Sequence, residues 1–210
     1  MAPLEAPEGW LAGLPAEFLR RDVRLVPIRE AHTLRRPVFA KSPNDKSIKA
    51  MVYADGTRLP GSDAVHPSTP VLVSDPVDVV EEFRLHVFEG RVHTGSQYGD
   101  DGALRMAPLA GHLREAEVLA FAAELLAEQA VELPSAIVLD VGTVRPLSGG
   151  PARWAVIEAN AAWAAGCYEA DVERALDVVL RAAGPSGDLS DHDRRFVRPA
   201  TSPGPVPGSG

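Results

Sequence analysis

Apolar and polar residues alternate over one stretch of the chain, with Phe83, Leu85 and Val87 set against Glu82, Arg84 and His86. A period of two belongs to a strand whose faces meet different surroundings. Glu89-Gly90 turns the chain and 91–97 returns it, so a long hairpin is predicted from Val79 onward. Similar patterns predict strands at 23–28, 37–41, 49–53 and 71–74, with the Asp55-Gly56 turn closing the third. Two further strands, 137–141 and 153–160, are joined by the turn-rich segment 146–151. The period becomes helical over 113–130, where Val118, Phe121, Ala122, Leu125 and Leu126 share one face. A last helix is predicted from Asp171 as N-cap, with Val172, Ala175, Leu176, Val179 and Leu180 as its apolar face and Gly184-Pro185 as its stop. Short helical pieces around Trp10, Leu14 and Phe18 open the chain. Hairpins and helices in this order, without regular βαβ units, predict an α+β fold.

The chain of 210 residues is long enough for one domain with a core or for two small lobes. A net charge of -8 gives no electrostatic reason to bind nucleic acid or an anionic membrane. The single cysteine, Cys167, allows no intrachain disulfide and predicts a reducing compartment. With no apolar run long enough to span a bilayer and no signal-peptide pattern at Met1–Glu5, the expected location is the cytoplasm. Residues 184–210 are rich in Gly, Pro, Ser, Asp and Arg, and are expected to form a disordered tail.

The candidate chemistry centres on Trp154–Asn160, an apolar strand ending in Glu-x-Asn. Alternation puts Glu158 and Asn160 on one face, with Asp140 one hairpin away. Two carboxylates and an amide oxygen are either an ordinary polar rim or a hard oxygen cage suited to Mg²⁺. Lys41 and Lys46 bracket the loop Ser42–Ser47 and are either solvated lysines or phosphate ligands. That loop lacks the glycines of a Walker-type cradle. Glu82 and Arg84 are either the wet side of a hairpin or groups for ribose and phosphate. The six histidines show no metal-ligand spacing, Cys167 has no neighbouring base in sequence, and Ser148-Gly149-Gly150 is not a nucleophile elbow.

In chain order, Phe39-Ala40-Lys41 with Lys46, Val71–Val77, Glu82-Phe83-Arg84, Asp140 and Glu158-x-Asn160 resemble the ATP-grasp superfamily over about residues 35–183. The resemblance is to a bacterial clade of unassigned substrate. That clade is marked by a Lys-x4-Lys loop, a Val-x-Val-Ser-x-Pro-Val hinge, and a Glu-x-Asn strand followed by a Trp-x-x-Gly-x-Tyr loop, here within Ala162–Tyr168. It implies two α+β lobes, about 35–75 and 76–183, with a nucleotide between them and 1–34 as an N-terminal extension. ATP-grasp enzymes usually carry a further N-terminal α/β domain; only about 34 residues precede the Lys41 strand here, so that domain is expected to be missing, supplied by another chain or lost to start-site choice.

The resemblance also implies roles. Lys41 and Lys46 would meet the phosphates of ATP, and the backbone of Ser74, Asp75 and Val77 would face adenine. Glu82 would hold ribose, and Arg84 a phosphate or an acyl phosphate. Asp140, Glu158 and Asn160 would hold Mg²⁺. The implied activity is ATP-dependent carboxylate–amine ligation, with Arg84 and Lys46 as catalytic groups and an unidentified small-molecule or peptide carboxylate and an amine as partners. The alternatives are a module or degenerate homologue that binds ATP without ligation, and a kinase-like enzyme that phosphorylates a small molecule at the same ATP site.

Overall fold

A computed structural model describes residues 1–199. Two antiparallel sheets dominate it. The first has four strands, β1 (Val23–Pro27), β2 (Val38–Lys41), β3 (Met51–Tyr53) and β4 (Pro70–Ser74), in the order β1-β4-β2-β3. The second has five, β5 (Val77–Phe88), β6 (Arg91–Asp100), β7 (Ala103–Pro108), β8 (Ala136–Pro146) and β9 (Arg153–Asn160), in the order β7-β6-β5-β8-β9. Asp75 and Pro76 carry the chain directly from β4 of one sheet into β5 of the other.

The second sheet is covered on both faces. Phe83, Leu85 and Val87 of β5 and Ile137, Leu139 and Val141 of β8 pack beneath helix α4 (Glu115–Gln129). Two short helices complete that layer, α1 (Trp10–Gly13) and α2 (Ala16–Leu19), with Trp10, Leu14 and Phe18 in the same core, while α3 (Ile28–Ala31) packs on the first sheet. On the opposite face lies α5 (Val172–Ala182), whose Val178 and Ala182 meet Ala136 and Val138. β8 is therefore buried on both sides, which explains its nearly continuous apolar run. A carboxylate within such a strand is exceptional, and Asp140 is that residue, 1% exposed.

The strand assigned to the N-terminal extension is β1, and it pairs with β4 in the first sheet from Val23↔Ser74 to Pro27↔Pro70. That sheet thus begins before residue 35. The returning arm of the hairpin runs three residues further than expected and is joined by β7, which the sequence pattern had not marked.

The last helix does begin after Asp171, whose carboxylate accepts from the Arg174 N–H at 3.0 Å. Its buried stripe differs from the expected one. Ala175, Val178 and Ala182 face the sheet, and Val172, Leu176 and Leu180 are exposed. The small stripe lets the helix sit close to Ala136 and Val138, and apolar residues on two sides of the helix make the pattern ambiguous.

The expected tail is corrected for 184–199. After short turns at Ser186–Asp188 and Asp193–Phe196, Val197 forms a bridge with Leu4. Asp193 is fully buried. It accepts from the N–H and hydroxyl of Ser135 (2.8 and 2.7 Å), the hydroxyl of Ser190 (3.1 Å) and the Arg181 guanidinium (2.9 Å). Burial alone raises a carboxylate pKa; here these donors and the Arg181 charge outweigh it and hold Asp193 below its ordinary value. The part of the expected tail at 200–210 lies outside the described residues. No helix among the described residues is long and apolar enough to cross a membrane.

Candidate active site

Three adjacent strands place three charged side chains in one row. Arg84 of β5 is opposite Asp140 of β8, and Asp140 is opposite Glu158 of β9. Lys41, at the end of β2 in the other sheet, closes the row on Glu158. The sequence of charge across the two sheets is therefore plus, minus, minus, plus.

The contacts within the row are direct. Arg84 grips Asp140 with a two-pronged pair, Nε to Oδ1 at 2.8 Å and Nη2 to Oδ2 at 2.7 Å. Lys41 donates to Oε2 of Glu158. The two carboxylates would repel each other, and Asn160 lies between them, its Nδ2 donating to Asp140 Oδ2 and Glu158 Oε1, each at 3.0 Å. The sequence-predicted trio of Asp140, Glu158 and Asn160 is thus assembled.

Electrostatics follow from burial and partners. Burial pushes the Asp140 carboxyl up to about 6, with Arg84 opposing and Glu158 adding to the shift. Glu158 is also pushed up by burial, but the Lys41 charge and the hydrogen bonds from Lys41 and Asn160 prevail and lower its pKa. Burial disfavours the charge on Arg84, yet Asp140 overrides it and the pKa rises. Glu82 lies two residues from Arg84 on the same strand face, and burial raises its pKa despite a 3.1 Å hydrogen bond from the Tyr98 hydroxyl.

Two aromatic residues that sequence reasoning did not assign to the site complete the surroundings of Arg84. Tyr98 of β6 and Tyr168, from the loop after β9, are stacked with centroids 4.9 Å apart and planes within 6°. The Arg84 guanidinium lies 5.4 and 5.0 Å from their ring centres. Tyr168 adopts a left-handed backbone, φ 51°, which is uncommon for a bulky residue and aims its ring at this point. Tyr168 stood in the Trp-x-x-Gly-x-Tyr pattern, so a signal for it existed; for Tyr98 the only signal was its place on the strand next to β5. Behind β9, Arg21 donates to the carbonyls of Val156 (2.9 Å) and Ile157 (3.3 Å), and burial lowers its pKa to about 10.

A cavity of about 580 Å³ opens beside the row. Lys41, Lys46, Glu158 and Asn160 line it, together with Lys49, Trp163 and Arg198. Arg198 carried no sequence signal, because its segment was read as a tail. Glu82, Arg84 and Asp140 do not line this cavity; Arg84 and Asp140 stand behind it in the hydrogen-bonded row, and Glu82 is held beside them by Tyr98. The hinge residues are also apart from it. Ser74 borders a gap of only about 20 Å³ that also touches Lys41 and Ile157. The Asp75 N–H donates to the Asp22 carbonyl at 3.1 Å, its carboxylate pairs with Arg36 at 2.6 Å, and Val77 is in register with Pro146.

The donor set is chemically suited to Mg²⁺: two carboxylates and an amide oxygen, all hard ligands, on two paired strands, Asp140 within β8 and Glu158 and Asn160 at the end of β9. All four carboxylate oxygens now face Arg84, Lys41 or Asn160. Among the described residues no group of three or more His, Cys, Asp or Glu is placed to hold a metal, so the amide of Asn160 is needed as the third donor.

Comparison with known proteins narrows the reading. No curated protein matches the chain. The ATP-grasp ligase PsnB complexed with minimal precursor is similar in structure, with 15% identity and a TM-score of 0.45, over 81% of this chain and 56% of that one. PsnB complexed with a phosphomimetic variant of minimal precursor, Mg and ADP gives 14% and 0.44, over 82% and 54%. The chain therefore spans little more than half the length of these solved structures. The sequence model of an ATP-grasp domain, the second family of its clade, matches residues 18–178, most of the chain. The chain belongs to this family of ATP-grasp domains, and its α+β fold is the ATP-grasp fold.

Proposed function

We propose that the chain binds ATP with Mg²⁺ between its two sheets and uses it to join a carboxylate to an amine through an acyl phosphate. The observation that carries this reading is the row Lys41–Glu158–Asp140–Arg84 at the edge of the 580 Å³ cavity. A buried row of carboxylates held by cations is costly to build for stability alone. It becomes useful when a triphosphate and a metal exchange partners with it.

In this reading Glu158, Asp140 and the Asn160 amide oxygen hold Mg²⁺. The bound metal supplies positive charge to the phosphate oxygens. Lys41 leaves Glu158 for the phosphate chain, and Lys46 meets the outer phosphates from its loop. Glu82 takes a ribose hydroxyl, and the backbone of Ser74, Asp75 and Val77 takes adenine after the two sheets separate locally. An oxygen of the substrate carboxylate attacks the γ-phosphorus and ADP leaves. The amine nitrogen then attacks the acyl carbon, inorganic phosphate departs, and the amine releases a proton. Arg84 places its planar fork on the transferred group and stabilises its charge, which a point charge does less well. The carboxylate and amine remain defined by class, a small molecule or a peptide.

One observation favours a second reading, binding without ligation: the two carboxylates are already paired with the chain's own Arg84 and Lys41 and hydrogen-bonded by Asn160. The two readings differ at Arg84. Arg84→Lys keeps most ATP affinity, which Lys41, Lys46 and the metal still supply. It lowers the rate of phosphate release, or of hydroxylamine-trapped acyl phosphate, by about 100-fold. Equal rates in wild type and variant would return Arg84 to a structural part, and an absence of acyl phosphate in the wild type with every carboxylate tried would favour the binding module.

A further inference from the structure

The family domain ends at 178, yet residues on both sides of it reach the cavity. Residues 2–6 and 196–198 run side by side as a strap. Leu4 bridges Val197, the Glu5 N–H donates to the Phe196 carbonyl at 3.0 Å, and the Arg198 N–H donates to the Pro3 carbonyl at 2.8 Å. The strap is anchored at three places. The Leu4 N–H bonds the Ala182 carbonyl at the end of α5 (2.8 Å), and the Leu4 carbonyl accepts from the Trp163 indole (2.9 Å). The Ala6 carbonyl accepts from Asn44, within the loop between Lys41 and Lys46, also at 2.9 Å. Backbone anchors of this kind fix where the side chains of Glu5 and Arg198 stand.

Both side chains line the cavity. The Arg198 guanidinium lies over the Trp163 ring at 5.6 Å and faces the Glu5 carboxylate at 3.8 Å, too far for a hydrogen bond. A guanidinium that holds its counter-ion this loosely, lining the same cavity as Lys41, Lys46 and Lys49, is placed to take an oxyanion. Its planar fork suits phosphate better than the lysines do. Burial raises the pKa of Glu5, with the nearby Arg198 only partly opposing it, so the pair is not tightly matched.

We propose that Arg198, carried by the terminal strap outside the family domain, is a binding residue for the phosphate chain of the nucleotide, and that Glu5 occupies it until the ligand arrives. The proposal rests on the nucleotide reading above and adds to the site a cation that the domain itself does not encode. Glu5 and Arg198 act in opposite directions on the same ligand, a signature that a merely structural strap would not give.

The test is calorimetric titration of the full chain with Mg·ATP and, separately, with inorganic tripolyphosphate. The variants are Arg198→Gln, Arg198→Lys, Glu5→Gln and the double variant. Arg198→Gln should weaken both ligands about 10-fold, the scale of one lost hydrogen bond to a charged group. Arg198→Lys should recover part of the loss. Glu5→Gln should tighten both ligands, and should change nothing once Arg198 is already glutamine. Unchanged affinity in Arg198→Gln, with wild type binding Mg·ATP, overturns the assignment of Arg198 and leaves the nucleotide reading standing. A wild type that binds tripolyphosphate in an Arg198-dependent way but not Mg·ATP keeps the anion site and removes the nucleotide. Weakening in both single variants means that the strap acts only through structure, and it overturns the proposal.

Discussion

Ending the chain after Pro185 lowers its melting temperature by about 10 °C, from a loss of about 4 kcal/mol spread over a domain of this size. The loss has two sources. The buried side chain of Phe196, 7% exposed, is lost with the segment and uncovers the apolar surface beneath it, which costs about 2 kcal/mol on its own. Asp193 takes with it three hydrogen bonds from the retained body, from the Ser135 N–H and hydroxyl and from Arg181, and it leaves the Arg181 guanidinium without its carboxylate. The His192 ring nitrogen also gives up its 2.7 Å contact with the Leu133 carbonyl. Asp193→Ala and Phe196→Ala should each reproduce part of the shift. Because the Asp193 pKa is held below its unfolded value, its contribution is full at neutral pH and disappears as pH falls through the folded value. Thermal melts of the full and shortened chains decide the point, and a shift under about 2 °C would mean that the segment contributes nothing to the core.

Glu158→Gln abolishes most of the magnesium dependence of ATP binding while the fold survives. Glutamine keeps the shape of the side chain and its contact with Asn160, but it removes the negative charge from the middle of the row. The metal loses a ligand charge, so affinity for Mg·ATP should fall about 10-fold or more. Lys41 loses its carboxylate partner at the same time and becomes freer to meet a phosphate. Affinity for metal-free ATP should therefore hold or rise. This opposite movement separates loss of a metal ligand from general damage. Titrations with and without Mg²⁺ test it, and an equal magnesium dependence in wild type and variant would remove Glu158 from the metal site.

Much of this site was legible because strands have a period of two. Glu158 and Asn160 had to share a face, and the hairpin to 137–141 brought Asp140 beside them. The alternation in 82–87 likewise placed Glu82 and Arg84 on the face opposite Phe83 and Leu85. What the sequence hid depends on partners. The pairing of Arg84 with Asp140 requires the strand order β5-β8-β9, which no local pattern encodes. Segment 184–199 was read as part of a tail because it has few apolar residues, yet its order comes from Phe196 and the fully buried Asp193 with its donors, features that hydropathy does not register. The buried face of α5 was misread for a related reason. Its alanines pack closely on the sheet, and its leucines point outward.

In the proposed reading the two sheets hold a magnesium nucleotide at the row from Lys41 to Arg84. Isothermal titration of the full chain with ATP in millimolar Mg²⁺ tests it most directly. The account predicts saturable binding to one site, tighter with Mg²⁺ than without it, and a matching rise in melting temperature through linkage. Titration heats no greater than dilution, with no shift in melting temperature at millimolar Mg·ATP, would contradict it.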